Sequence, residues 1–483
     1  MLRSLMFGVL AGALLPACYA QEMISAPEAQ ADAQTLYEGL QAAHYDLYAN
    51  TPRPVFDQYY RELQEELGAG PVSLSDYHVT LQRFSARADF AHTRVDTPHP
   101  GFSAFVDDGG LVFPLSFEVR DGEVVITQAP ADAPVEPGDR IVSLEGASNA
   151  DWLARLTRNI SAETPALAYS QMERQQAYFI WLEFGARPTF AAQVEDVNGQ
   201  ARTVTLSAIP ASELSNRVGL QSLNLWDRDA RMLTSEIAYL RPGGFFNLDA
   251  QAPEEYFAPE ALERFLAFID DSFETFIAEG AEALIIDLRN NPGGDNSYSD
   301  PMLAWIADRP FRFASDFRIR VSEQSTASNQ MRIDAAADGQ AGLSNVIAEL
   351  YADASPGDIL SYELEYAAPR EGRRFEGAVY ALVNRKSFSN AVSVGAIIQD
   401  YGFGQVIGEA TTDMTTTYGA MEHFTLPHSG FRIGYPKALI IRPNGDEHAH
   451  PLSPDVRLAT PQVGDQGDVV LEAAVAHVEG QTP

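Results

Sequence analysis

The sequence predicts an α/β protein of several domains, α+β in overall organisation. Three observations carry this. The chain has 483 residues, too many for one ordinary core. Its texture changes from helical, to short strands with Gly and Asp turns, to alternating strands and helices. Two continuous apolar runs, Ala283-Leu284-Ile285-Ile286-Asp287-Leu288 and Ala378-Val379-Tyr380-Ala381-Leu382-Val383, have the pattern of strands buried on both faces.

Taken in order, the first twenty residues read as a targeting segment. Arg3 is a short positive region, Leu5 to Leu15 is apolar, and Ala17-Cys18-Tyr19-Ala20 offers small residues for cleavage before Gln21. Leu15-Pro16-Ala17-Cys18 also resembles a lipobox, with lipid on Cys18 as the alternative to cleavage after Ala20. Either way the expected location is exported, periplasmic or extracellular. Cys18 is the sole cysteine, so the mature fold holds no internal disulfide and no thiol nucleophile.

Residues 21–97 read as an N-terminal helical domain, with Pro52 and Pro54 separating two helical stretches. Residues 98–210 read as β-rich, from Gly109-Gly110-Leu111-Val112-Phe113-Pro114-Leu115 through Val119 to Gln128, Pro137 to Gly146 and Phe190 to Leu206. A core spans 211–483. It contains a strand at Ile237 to Leu240, a helix at Pro259 to Glu279, the two buried strands, a helix at Tyr298 to Ala307 and another from about Asn390 to Tyr401. Residues 311–375 read as an insertion.

Charge narrows the function classes. A net charge of −34 argues against nucleic acid and against docking on an anionic membrane through basic patches. The only lysines are Lys386 and Lys437, which leaves few candidates for a catalytic lysine.

Two strand-to-turn junctions hold the chemistry. After the first buried strand, Arg289-Asn290-Asn291-Pro292-Gly293-Gly294 lets backbone N–H groups face a cleft with no Cβ in the way. After the second, Asn384-Arg385-Lys386-Ser387-Phe388-Ser389-Asn390-Ala391 puts a serine at a strand end that opens a helix. Each alone reads equally as a strand-ending turn or an N-cap serine. Asp446-Glu447-His448-Ala449-His450 has metal-ligand types, but no His-Glu-x-x-His element accompanies it. The G-x-S-x-G elbow, the P-loop and the dinucleotide-binding glycine pattern are absent, and no cofactor or metal is expected.

Together the junctions resemble the tail-specific (C-terminal processing) and tricorn-core serine peptidases. The resemblance rests on Asp287-Leu288-Arg289-Asn290-Asn291-Pro292-Gly293-Gly294, on Ser387-Phe388-Ser389-Asn390-Ala391 and on Gly408-Glu409-Ala410-Thr411. Leu426 to Gly430 and Leu452 to Val456 are similar to that family's terminal strands, and Pro137 to Gly146 to its PDZ-like module. It implies a ClpP/crotonase-like β-α spiral core and a polypeptide substrate. It implies Ser389 as nucleophile, with an oxyanion hole from the N–H of Asn390 and of Gly293 or Gly294. One branch places a lysine about 25 residues after the serine; here Met414 stands there. Lys386, three residues before Ser389, points elsewhere on this reading, and Lys437 is off the pattern. The tricorn-like branch instead takes a histidine from an Asp-x-His-Thr element, similar to Asp89-Phe90-Ala91-His92-Thr93 with one residue inserted. That implies His92 as general base and Glu447 as the residue orienting it. The PDZ-like module is expected to take a substrate C-terminus by strand addition. A non-catalytic ligand-binding homologue, or an esterase using the same site, are the alternatives.

Overall fold

The computed structural model describes residues 22–213, 227–250, 255, 258–335, 343–458 and 467–480. The targeting segment, with its cleavage site after Ala20 and Cys18, lies outside them. Among the described residues no helix is long and apolar enough to cross a membrane.

Three helices open the chain: α1 (Ala26–Ala43), α2 (Arg53–Leu67) and α3 (Leu74–Ala86). Their starts follow from local chemistry. Glu28 reaches back to the Ser25 N–H at 3.1 Å, α2 begins behind Pro52, and Ser73 accepts from the Asp76 N–H at 3.1 Å. These helices do not form a separate core. Leu36, Leu40, Phe56, Tyr77 and Phe84 share one buried cluster with Leu426, Phe431, Ile433 and Tyr435 from the far end of the chain.

The next unit is a β-rich module. Strands β1 (Ser116–Arg120), β2 (Glu123–Gln128), β3 (Arg140–Leu144), β4 (Thr189–Glu195) and β5 (Ala201–Ser207) form an antiparallel sheet in the order β5-β4-β3-β2-β1. Their alternating burial is the mark of a sheet covered on one face. Helices α4 (Asn149–Thr157), α5 (Pro165–Arg174) and α6 (Gln176–Phe184) cover it over a core that includes Phe117, Trp152, Ile180 and Phe190. The helical pair α5–α6 is an addition to what the sequence pattern suggested.

The core holds a six-stranded sheet. Its strands are β6 (Asp229–Met232), β7 (Ile237–Arg241), β8 (Ala283–Asp287), β11 (Ala378–Val383), β12 (Gln405–Gly408) and β15 (Val456–Arg457), in that order. All are parallel except β6. Helices α7 (Pro259–Ala278), α8 (Asn296–Ala304), α11 (Asn390–Tyr401) and α12 (Val469–Glu479) flank it. Both faces are covered, which is why β8 and β11 are apolar throughout.

A second, antiparallel sheet runs β10-β9-β14-β13, from β9 (Asp316–Arg320), β10 (Ile359–Tyr362), β13 (Thr417–Thr425) and β14 (Arg432–Ile441). Residues 311–375, expected as an insertion, therefore supply two strands of this sheet and the helices α9 (Glu323–Ala335) and α10 (Leu343–Ala352) beside it. A short strand, Arg94–Val95, joins the same sheet by pairing with Gly434 and Ile433 of β14. That pairing carries the N-terminal region to the core.

Candidate active site

The register of the parallel sheet places the two junctions side by side. Asp287 at the end of β8 is level with Leu382 near the end of β11. The turns that follow are bonded to each other. Asn384 Oδ1 accepts the Asn290 N–H at 2.9 Å and Asn384 Nδ2 donates to Asn290 Oδ1 at 2.8 Å. Ser387 Oγ donates to the Leu288 carbonyl at 2.7 Å, and the Phe388 N–H to the Asn291 carbonyl at 3.0 Å. Below them Arg289 pairs with Asp287 and Asp468 at 2.7 Å each, and with both carboxylates beside it the guanidinium is held well above its ordinary pKa despite burial.

Ser389 sits between β11 and α11 with φ 54° and ψ −125°. A serine held at positive φ is strained, and such strain persists only where the surroundings over-determine it. Two contacts do so here. Gly293 lies against it: a Cβ at Gly293 would fall 2.7 Å from the Asn390 nitrogen and 2.8 Å from the Ser389 Cβ. The Ser389 N–H donates to Asp413 Oδ2 at 2.5 Å. Asp413 is fully buried, and burial raises its pKa to about 6.

The N–H groups expected to hold an oxyanion divide. The N–H groups of Asn390 and Gly294 make no hydrogen bond with the described residues, and Asn390 opens α11, where the first N–H groups lack helical partners. The Gly293 N–H is already taken by Asn291 Oδ1 at 2.9 Å. Gly293 thus acts by its lack of a side chain, and Gly294 carries the available donor. Gly294 is itself pressed on Phe245, whose carbonyl would be 2.2 Å from an added Cβ.

His92 arrives through the Arg94–Val95 strand. It is buried, and its ring stacks on that of Phe388 at 5.3 Å and 25°. It shares no hydrogen bond with Ser389 Oγ, and its Nδ1 is buried without a partner. Burial lowers its pKa to about 4, with Arg94 adding to the shift and the Tyr418 backbone opposing it. The ring is therefore neutral at pH 7, the form a base requires.

Among the described residues Glu447 makes no hydrogen bond or ion pair with His92. It is largely exposed, 60%, and accepts from Arg318 Nη2 at 2.8 Å, because the turn after β14 folds back on β9. Lys386 is also accounted for: its Nζ lies 3.1 Å from Glu118 and 3.2 Å from Glu173. Lys437 is buried on Glu422 at 2.6 Å.

Two carboxyls near the site were not singled out from sequence. One is Asp413, the neighbour of Met414. The other is Glu163, which accepts from the Ala91 N–H at 3.2 Å and whose pKa is raised to about 8 by burial and by Asp413. Glu163 lines a cavity of about 220 Å³ with Asn50, Met414, Thr416 and Tyr418. Asp413 was within reach of sequence reasoning, since it adjoins the position where the family's other branch keeps lysine. Glu163 was not, because nothing local ties it to His92.

A doubly covered parallel sheet, with a strained serine and a glycine turn at the carboxyl ends of adjacent strands, defines a hydrolase of the nucleophilic-serine class. The family model of peptidase family S41 matches residues 258–458, the segment that holds both junctions, and this part of the chain is a peptidase family S41 domain. Among solved structures, mature CPAF is similar over 90% of this chain and 93% of its own, at 16% identity and a TM-score of 0.59. Mature CPAF complexed with lactacystin is similar over 94% of this chain and 97% of its own, at 14% identity and a TM-score of 0.62. At these identities the likeness is one of fold. No curated relative matches the sequence.

Proposed function

We propose that the chain is a serine endopeptidase that cleaves unstructured polypeptides through an acyl-enzyme on Ser389. The observation that carries this is the pairing of the strained Ser389 with Gly293 packed directly against it. Ser389 Oγ attacks the peptide carbonyl, and neutral His92 takes its proton. The N–H groups of Asn390 and Gly294 hold the oxyanion. His92 returns the proton to the leaving amine, and water hydrolyses the ester. Glu447 has no part in this scheme. Export of the mature chain, by cleavage after Ala20 or by lipid on Cys18, belongs to the same proposal and rests on the sequence of the first twenty residues.

The test is a fluorophosphonate probe and an internally quenched, unstructured peptide, applied to the chain and to Ser389→Ala. The expected result is labelling and cleavage by the first and neither by the second. Cleavage by both would remove Ser389 as nucleophile. A chain that binds the peptide but neither cleaves it nor takes the probe would be the non-catalytic homologue.

A further inference from the structure

The β-rich module is the natural candidate to hold a substrate tail, because among the described residues β1 ends its sheet and pairs with β2 alone. On the outer side, Phe117 and Val119 direct their N–H and C=O groups away from β2, towards the groove beside α5. An extended peptide adding to the sheet would bond there. All four groups are already occupied. Gln176 Oε1 accepts the Phe117 N–H at 3.0 Å, and Gln176 Nε2 donates to the Phe117 carbonyl at 2.7 Å. Glu173 Oε1 accepts the Val119 N–H at 2.8 Å, and Arg385 Nη2 donates to the Val119 carbonyl at 3.2 Å.

Two of those occupants belong to a larger contact. Glu173, its side chain 0% exposed, also accepts Arg385 Nη1 at 2.8 and 2.7 Å. Lys386 Nζ lies 3.2 Å from Glu173 and 3.1 Å from Glu118 of β1. Ser170 Oγ donates to the Arg385 carbonyl at 3.1 Å. Arg174, the last residue of α5, donates to the Asn290 carbonyl at 3.2 Å and to the Lys386 carbonyl. Arg385 and Lys386 lie in the turn that carries Ser389. Helix α5, which supplies Glu173 to the strand edge, is thus the one that grips both turns of the active site. Burying a charge pair costs several kcal/mol per ion unless partners satisfy it, and here every hydrogen bond that satisfies it points at the nucleophile turn or the strand edge.

We propose that Glu173 is a positioning residue for Ser389, acting through Arg385 and Lys386, and that the module's edge is closed by side chains of the module and of the nucleophile turn and does not take the substrate's C-terminal tail. This rests on the serine-peptidase reading above. The module is then part of the scaffold of the reaction, and the expected strand addition at β1 is replaced by an internal clamp.

The test uses the full chain, wild type and Glu173→Gln, on a quenched peptide with either a free or an amidated C-terminus. Glu173→Gln keeps the shape and the acceptor for Val119 but removes the charge opposite Arg385. The expected result is a fall in kcat of at least about tenfold with KM unchanged, a matching fall in the rate of fluorophosphonate labelling of Ser389, and equal cleavage of the two peptides by both proteins. If Glu173→Gln does not fold, the neutral pair Glu173→Gln with Arg385→Gln takes its place, with the same expectation. Unchanged kcat and labelling, or a rise in KM alone, would overturn the positioning role. A strong preference for the free C-terminus that the variant loses would overturn the closed edge. Ser389→Ala, run alongside, separates these outcomes from failure of the underlying reading: if it still cleaves, that reading falls first.

Discussion

At the scale of single residues, the site depends on positions that do no chemistry. Gly293 is the sharpest case. It has φ 87°, and the space a Cβ needs is taken by the Asn390 nitrogen, the Phe388 carbonyl and the Ser389 Cβ. All three are backbone or near-backbone atoms of the nucleophile turn, so none can rotate aside. Gly293→Ala must displace the turn by some tenths of an ångström or more, and displacements near 1 Å cost about 100-fold in rate. The expected outcome is a loss of kcat of that order together with a lowered melting temperature, because alanine is strained at this φ and meets backbone atoms, read by steady-state kinetics and thermal denaturation together. His92 makes a second prediction. Losing a general base costs about 10²–10⁴ in rate, so His92→Ala should lose kcat on that scale. Full activity in that variant would leave no lysine to replace it, because Lys386 and Lys437 are both spent in ion pairs.

At the scale of elements, the strands were more legible in sequence than their company. Ile237–Arg241, Ala283–Asp287 and Ala378–Val383 follow directly from apolar runs, and α11 from the serine that precedes it. The 311–375 segment was not legible as part of a sheet, because β9 and β10 are half-polar and the strand that joins them to the sheet, β14, pairs with β9 about 120 residues further on. The same distance hid the fate of Glu447: its ligand, Arg318, belongs to that segment. The N-terminal helices were legible as helices but not as part of the core. One contact ties them to it. Asp32 of α1, 0% exposed, accepts the His428 N–H at 2.9 Å and the Ser429 N–H at 2.7 Å, in the turn that joins β13 to β14. Removing the carboxylate leaves the buried Ser429 N–H unsatisfied, at about 1–3 kcal/mol, whereas the His428 N–H is partly open to water. Asp32→Ala should therefore lower unfolding stability by about 1–3 kcal/mol in urea titration. Because β14 also carries the Arg94–Val95 strand, activity should fall with it at temperatures where the wild type is intact.

At the scale of the whole molecule, the acid response follows from which groups the fold buries. His44 and His78 are lowered to about 3, and His92 and His99 to about 4, in each case mainly by burial. An unfolded histidine titrates near 6.5, so between that pH and about 4 the unfolded chain takes up protons that the folded chain refuses. Stability from these four groups is complete above about 6.5 and is lost as pH falls. Raised carboxyls act in the other direction. Asp300 and Asp413, both near 6, protonate in the folded state first, and their contribution grows as pH falls through that value. Glu163, near 8, keeps its proton in the folded state throughout this window while an unfolded glutamate, near 4.3, does not, so it acts with them. Four histidines against three carboxyls leave a net uptake of about one proton by the unfolded state, and stability should fall at roughly 1–1.5 kcal/mol per pH unit between pH 6 and 5. Urea titrations at pH 7, 6 and 5 measure it. All four histidines lie between residues 44 and 99, in or beside the N-terminal helices and the segment that delivers His92. The loss should therefore begin there: protease nicking or hydrogen exchange at pH 5 should open the N-terminal helices before the parallel sheet. Opening of the sheet first, or stability that rises from pH 7 to 5, would show that the raised carboxyls and not the histidines govern the acid limb.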